Sequence, residues 1–100
     1  MAEEMSLLAQ SFKHSDIFVS RRIADEAVLV PLYQQKGGSD YIYSLNETAA
    51  CAWSLLDGSR SLSSVVEHIV AEYDIEEAEA VQEVLGLVLE LVNLGALEKA

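Results

Sequence analysis

The sequence predicts a single α+β domain in which a three-stranded antiparallel sheet is followed by three helices. The chain has 100 residues and 51% of them are hydrophobic, which suffices for one core but not for two. Residues 17–45 show the two-residue alternation of strands, whereas residues 46–95 show the 3.6-residue period of helices. Strands followed by a block of helices are typical of α+β domains.

The first fifteen residues show no sustained hydrophobic period. We expect residues 1–15 to form a loosely ordered lead-in or a short helix, as chain ends often do. The domain itself is then expected to span residues 16–100.

Three strands are predicted between the lead-in and the helices. The first covers 18–23, and the second covers the apolar, β-branched run 27–33. Pro31 lacks a backbone N–H, which favours an edge position or a bulge for this part of the second strand. The connection 34–39 contains two glycines and predicts a hairpin. The third strand is expected at 40–45, and the short links imply an antiparallel meander.

Capping residues predict where the three helices begin and end. Asn46 is a good N-cap for the first helix. Ser61 can cap the second helix, and Ser64 with Glu67 forms a competing capping box one turn later. Asp74 and Glu77 have the spacing of a capping box, which predicts that Asp74 caps the third helix. This helix should run to about residue 94 and end at Gly95.

The third helix is more apolar than a helix with one buried face requires. A stripe of four residues is expected to be buried, and a second set widens it beyond the usual arc of about 100°. The first set is Val81, Leu85, Val88 and Val92, and the second is Val84, Leu87, Leu91 and Leu94. Two interpretations remain open. The helix is either enclosed between the sheet and the other helices, or it forms the wall of a ligand groove or subunit contact.

The charge of the chain excludes some classes of partner. The chain has seventeen acidic and six basic residues, which gives a formal net charge of −11. Nucleic acids and anionic membranes are therefore poor partners, because both are bound largely through Lys and Arg. The single cysteine, Cys51, cannot form an internal disulfide, and no apolar run is long enough to span a bilayer. These features predict a cytoplasmic protein.

No catalytic or metal-binding pattern is visible in the sequence. His14, His68 and Cys51 are far apart, without the spacing of a zinc site. Cys51 has no basic neighbour that would lower its pKa, and the common phosphate-binding and nucleophile motifs are missing. We therefore predict a binding module that is not an enzyme and has no cofactor or metal.

Residues 16–98 combine several short motifs in a recognisable order. The motifs are Val28-Leu29-Val30, Tyr43-Ser44-Leu45-Asn46-Glu47-Thr48-Ala49-Ala50, Trp53-Ser54-Leu55-Leu56-Asp57-Gly58, Arg60-Ser61-Leu62, Ala71-Glu72-Tyr73-Asp74-Ile75, and Val84 and Leu91 followed by Leu94-Gly95-Ala96-Leu97-Glu98. In this combination the sequence resembles the PqqD-like family.

The resemblance implies a winged-helix-turn-helix-like fold and a role in recognising ribosomally made, post-translationally modified peptides. Members of the family bind the leader of a precursor peptide as an added strand and present it to a tailoring enzyme, often a radical-SAM enzyme. The added strand lies between the third strand and the third helix. The matching positions here are Asp40, Tyr41, Ile42, Tyr43, Ser44, Leu45, Val81, Val84, Leu85 and Val88. The alternation of the strand leaves open which of its faces lines the groove.

Alternatives to this interpretation are kept open. The subgroup that serves pyrroloquinoline quinone synthesis typically continues the second strand into a Pro-Glu-Arg-like turn. Here Pro31 is followed by Leu32-Tyr33, and a different peptide is favoured over that pathway. A structural dimer through Leu87, Leu91 and Leu94 is a further alternative. A winged-helix regulator bound to DNA is the weakest, since the second helix has no Lys or Arg.

Overall fold

The predicted order of three strands and three helices forms the body of the structure. The computed structural model describes residues 2–32 and 42–100. In chain order its elements are α1 (Ala2–Leu8), β1 (Phe12–His14), β2 (Phe18–Ile23), β3 (Glu26–Pro31), β4 (Tyr43–Leu45), α2 (Glu47–Leu55), α3 (Leu62–Tyr73), α4 (Glu77–Leu94) and β5 (Leu97–Lys99). No helix in the described part of the chain is long and apolar enough to cross a membrane.

The main sheet is antiparallel and has the strand order β2-β3-β4. Val28 of β3 is paired with Arg21 of β2 on one side and with Ser44 of β4 on the other. Because side chains alternate along a strand, Ala27 and Leu29 point to the opposite face, where both are buried under the helices. The predicted three-stranded antiparallel sheet is confirmed.

Two details of the predicted strands differ from the structure. β3 is the central strand, so the edge position or bulge expected for Pro31 is wrong. Pro31 is the last residue of β3, a strand end where the missing N–H interrupts no interior part of the ladder. The third strand covers Tyr43–Leu45 and does not include Ile42, which was predicted to belong to it. The expected hairpin connection 34–39 and the residues Asp40 and Tyr41 lie outside the described residues.

The N-caps of α2 and α3 and the end of α4 are confirmed. The Asn46 side chain accepts a hydrogen bond from the backbone N–H of Ala49 at 2.9 Å. Ser61 accepts one from the N–H of Ser64 at 3.3 Å. Gly95 ends α4 with a φ of 93°, a left-handed conformation that glycine adopts without strain.

The predicted capping box at the start of α4 is wrong. Asp74 instead ends α3, with φ 53° and ψ 47°, and its N–H donates to the carbonyl oxygen of Val70 at 3.0 Å. The N-cap of α4 is Glu76, whose side chain makes no capping hydrogen bond. Aspartate is among the few residues that tolerate the left-handed conformation, so the residue that suits an N-cap serves here as a C-cap.

The core lies between the main sheet and helices α2, α3 and α4. Its largest fully buried side chains are Leu29, Leu45, Leu56, Leu62, Ile69, Leu91, Val65, Val84 and Val88. The expectation that Val92 is buried is wrong, because 41% of this residue is exposed. The buried face of α4 includes Ala80, Val84 and Leu91 instead. Apolar residues surround most of α4, so hydrophobicity alone does not select between neighbouring stripes.

The first fifteen residues contain α1 and β1. β1 is paired with β5 in a small antiparallel sheet of its own, in which Phe12 lies opposite Lys99. Phe12 is buried in the core, and the ring of His14 stacks on that of Trp53 with a centroid distance of 3.6 Å. The division of the chain into a lead-in and a domain at residue 16 stays a prediction.

Candidate functional site

β4 lies at one edge of the main sheet as far as the structure describes it. The strand is paired with β3 on one side, and no second strand neighbour is found among the described residues. The backbone N–H and C=O groups on the outer side of such an edge can pair with an incoming chain. β4 therefore offers a template for an added strand.

Tyr43 of this edge strand is influenced by Glu90 of helix α4. Burial, a hydrogen bond with Glu90 and the negative charge of Glu90 raise the pKa of Tyr43 to about 12. Leu45, two residues along β4, is fully buried, whereas Ile42 is exposed. The helix-facing side of β4 is thus the side of Tyr43 and Leu45.

A cavity opens where β4 ends and α2 begins. Its volume is about 230 Å³, and it lies between the first turns of α2 and the middle of α4. Eight residues line it, four from the start of α2 and four from α4: Asn46, Thr48, Ala49, Ala52, Glu83, Val84, Leu87 and Glu90. The cavity combines an apolar interior with two carboxylates.

The depth of each lining residue separates the interior of the cavity from its mouth. Ala52 and Val84 are buried, and Ala49 and Leu87 are partly buried. Glu83 and Glu90 are exposed. Apolar groups therefore form the floor, and the two carboxylates stand where the cavity meets solvent.

The start of α2, which forms one wall, is held in place by polar contacts. Besides the cap made by Asn46, the Tyr73 hydroxyl donates to the carbonyl oxygen of Glu47 at 3.4 Å. Burial, a hydrogen bond with Cys51, and nearby negative charges including Glu47 raise the pKa of Tyr73 to about 12. These contacts fix the end of α3 against the first turn of α2.

The predicted site residues fall into two groups in the structure. Tyr43, Ser44 and Val84 lie at the edge strand or in the cavity, and Val81 is partly buried on the same helix. Leu45, Leu85 and Val88 are buried in the core. Their assignment as peptide-binding residues stays a prediction, and Asp40 and Tyr41 lie outside the described residues.

The remaining lining residues were not among the predicted site residues. On α4, the spacing of Glu83, Leu87 and Glu90 places them on the same face as Val84. On α2, Ala49 and Ala52 likewise share one face. A signal was present in the small residues of α2, since alanines leave room between packed helices. The cavity-lining faces of α2 and α4 meet through a tertiary contact, which no local sequence pattern shows.

Neither of the two histidines lines this cavity. His14 is stacked on Trp53, and its Nε2 atom lies 2.8 Å from the Trp53 carbonyl oxygen. His68 is exposed on α3, where its Nε2 atom is 3.8 Å from a carboxylate oxygen of Glu72. Among residues 2–32 and 42–100, no group of three or more His, Cys, Asp or Glu side chains is arranged to hold a metal ion.

Comparisons with known proteins identify similar sequences and folds. A family model described as "Coenzyme PQQ synthesis protein D (PqqD)" matches residues 26–97. No curated protein sequence matches significantly.

Two solved structures are similar to this chain. "TbiB1 in Complex with the TbiA(beta) Leader Peptide" has a TM-score of 0.71 and 29% identity, covering 86% of this chain and 94% of that one. "Lasso peptide synthetase B1 complexed with the leader peptide" has a TM-score of 0.73 and 23% identity, covering 88% of this chain and 98% of that one. At this lower identity, the second likeness shows the shared fold alone.

Proposed function

Because the chain belongs to the PqqD family, we propose that it binds the leader of a ribosomally made precursor peptide without catalysing a reaction itself. The likeness to TbiB1, solved in complex with a leader peptide, supports this function. The observation that carries the proposal is the edge of β4, which has no second strand neighbour among residues 2–32 and 42–100, beside the cavity between α2 and α4.

Strand addition at β4 explains how a peptide gains affinity. An extended peptide that lies along the strand forms backbone hydrogen bonds with its outer edge, whatever the peptide sequence. The side of Tyr43 and Leu45 faces the helices, so alternate side chains of the added strand approach α4. Val84 and Leu87, which line the cavity, offer these side chains apolar contacts.

The bound leader would be presented to a modifying enzyme, for which a radical-SAM enzyme is the class implied by the family resemblance. In this arrangement the present chain supplies recognition, while the enzyme supplies the chemistry together with any cofactor. We place both proteins in the cytoplasm. The excess of acidic residues favours a leader or an enzyme surface that carries Lys or Arg.

A second candidate is the same role within pyrroloquinoline quinone synthesis. The description of the matching family model favours it. The sequence differs from that subgroup after Pro31, and it has Glu83 before Val84 where the family often has aspartate, which supports a different precursor peptide. The two candidates share one site and differ in the peptide that occupies it.

Direct titration tests the proposed function. Synthetic, fluorescently labelled leader segments would be taken from the short open reading frames that neighbour the gene, and a quinone-cofactor precursor would be included. We expect saturable binding of one of them by fluorescence anisotropy, and weaker binding of a version that is N-methylated at alternate residues, which cannot donate to β4. No binding by any candidate would contradict the proposal.

A further inference from the structure

The cavity between α2 and α4 is large enough to admit a side chain. Its volume of about 230 Å³ is many times the roughly 10–15 Å³ that a cavity needs to hold one water. Its lining includes Asn46, the residue that follows β4, so the cavity lies next to the end of that strand. The cavity is therefore a candidate subsite for one residue of the added strand.

The composition of the cavity changes with depth in a way that suits an amphipathic side chain. Ala49, Ala52, Val84 and Leu87 provide an apolar floor, and Glu83 and Glu90 provide negative charge at the mouth. Lys and Arg bury a hydrocarbon stem along apolar surface while the charged head remains near water. A purely apolar side chain would contact the floor but would leave both carboxylates without a partner on the peptide.

The surroundings strengthen the preference for a cation. α4 carries four glutamates and no Lys or Arg, and α2 carries one glutamate and no base. The two glutamates at the mouth are seven residues apart on α4, which separates their Cα atoms by about 10.5 Å. Carboxylates at that spacing are poorly placed to share a metal ion, whose ligands lie about 2–2.6 Å from it. They can instead attract a cationic head group from either end of the opening.

We propose that this cavity receives a lysine or arginine side chain of the peptide that pairs with β4, with the stem on the apolar floor and the charged head beside Glu83 or Glu90. The inference rests on the proposed function, because the peptide supplies the side chain. It goes further by naming the chemistry of one residue that the leader must contain.

The first experiment tests the cavity without any peptide. The full chain would be titrated with n-butylammonium and with 1-butanol while backbone amide shifts are followed by NMR. We expect n-butylammonium to shift the amides of Ala49, Ala52 and Leu87 at lower concentration than 1-butanol does. The double variant E83Q/E90Q should remove this difference, and E67Q, which removes a charge from the exposed side of α3, should retain it. Equal responses to both probes in the unmodified chain would overturn the proposal.

The second experiment uses the leader identified by titration. Each Lys or Arg in it would be replaced in turn by norleucine, which keeps an unbranched apolar chain and removes the charge. One replacement should weaken binding about fivefold, in the range of a modest ion pair, and E83Q/E90Q should cancel that effect. A leader that binds equally well after every replacement would overturn the lysine or arginine pocket and leave leader binding intact. If no leader binds, the proposed function fails, and the n-butylammonium titration alone decides the chemistry of the cavity.

Discussion

Tyr43 lies on the helix-facing side of β4, and the nearby Glu90 belongs to α4. Burial, the hydrogen bond and the negative charge of Glu90 all favour the neutral phenol, which raises the pKa of Tyr43 from 10.0 to about 12. Glu90 also lines the cavity, so the helix-facing side of β4 lies close to it.

The raised pKa of Tyr43 predicts a dependence of stability on pH. The folded pKa exceeds the ordinary value, so the stabilising contribution is complete below about pH 10 and is lost as the pH rises toward 12. We expect the free energy of unfolding to fall across this window, and to fall less in Tyr43→Phe. Urea denaturation at a series of pH values measures the free energy of unfolding of both proteins. Part of the fall should remain in the variant because the pKa of Tyr73 is also raised to about 12. Identical pH profiles for the two proteins would contradict the assignment.

At the scale of the elements, the junction between α3 and α4 distinguishes two roles for Asp74. The sequence pattern predicts an N-cap for α4, but the residue occupies the left-handed conformation at the end of α3. Asp74→Gly should therefore leave the free energy of unfolding unchanged or raise it by up to about 1 kcal/mol, because glycine adopts this conformation without strain. Chemical denaturation measures the difference. A loss of about 1 kcal/mol, typical of a removed N-cap, would favour the capping box instead.

Helix α4 offers a matched pair of leucines for testing the cavity. Leu87 lines it, whereas Leu89 is 57% exposed and does not. Leu87→Ala should weaken leader binding about threefold to tenfold through lost apolar contact, and Leu89→Ala should leave binding within a factor of two. Fluorescence anisotropy compares both with the unmodified chain. Equal losses in the two variants would show that the cavity does not contact the peptide.

Much of the fold follows from signals that act over short distances along the chain. Asn46 and Ser61 cap the helices they precede, and Gly95 ends α4, because these effects depend on adjacent backbone groups. The buried face of α4 and the partners of Ala52 in the cavity were not predictable. Both depend on how whole elements pack, and the apolar surface around α4 allows more than one orientation.

The alternative of a dimer seam through Leu87, Leu91 and Leu94 gains no support from an exposed apolar strip on α4. Leu91 is completely buried within the chain, and Leu87 and Leu94 are partly buried against the same core. These three leucines therefore support the fold of one protomer instead of forming an exposed strip. A homodimer stays an alternative that sedimentation at micromolar concentration would test.

At the scale of the whole molecule, the two ends of the chain are joined by the small sheet of β1 and β5. Phe12 of β1 is buried in the common core, so the first residues contribute to the stability of the whole protein. Phe12→Ala should lower the free energy of unfolding by about 3 kcal/mol, as large-to-small changes in a core do. Met5→Ala, at a residue that is 73% exposed, should change it by less than about 0.5 kcal/mol. Thermal and chemical denaturation compare the two. Similar small effects in both variants would mean that the N-terminal segment does not pack against the core.

The peptide strand is proposed to add at the edge of β4, and the other edge of the main sheet, β2, serves as an internal control. β2 and β4 form the two edges of the described sheet, but only β4 lies beside the cavity. Backbone amide hydrogen exchange, measured with and without a bound leader peptide, distinguishes these edges. We predict slower exchange in Tyr43–Leu45 and unchanged exchange in Phe18–Ile23. Slower exchange in β2, with β4 unaffected while the peptide is bound, would contradict strand addition at this site.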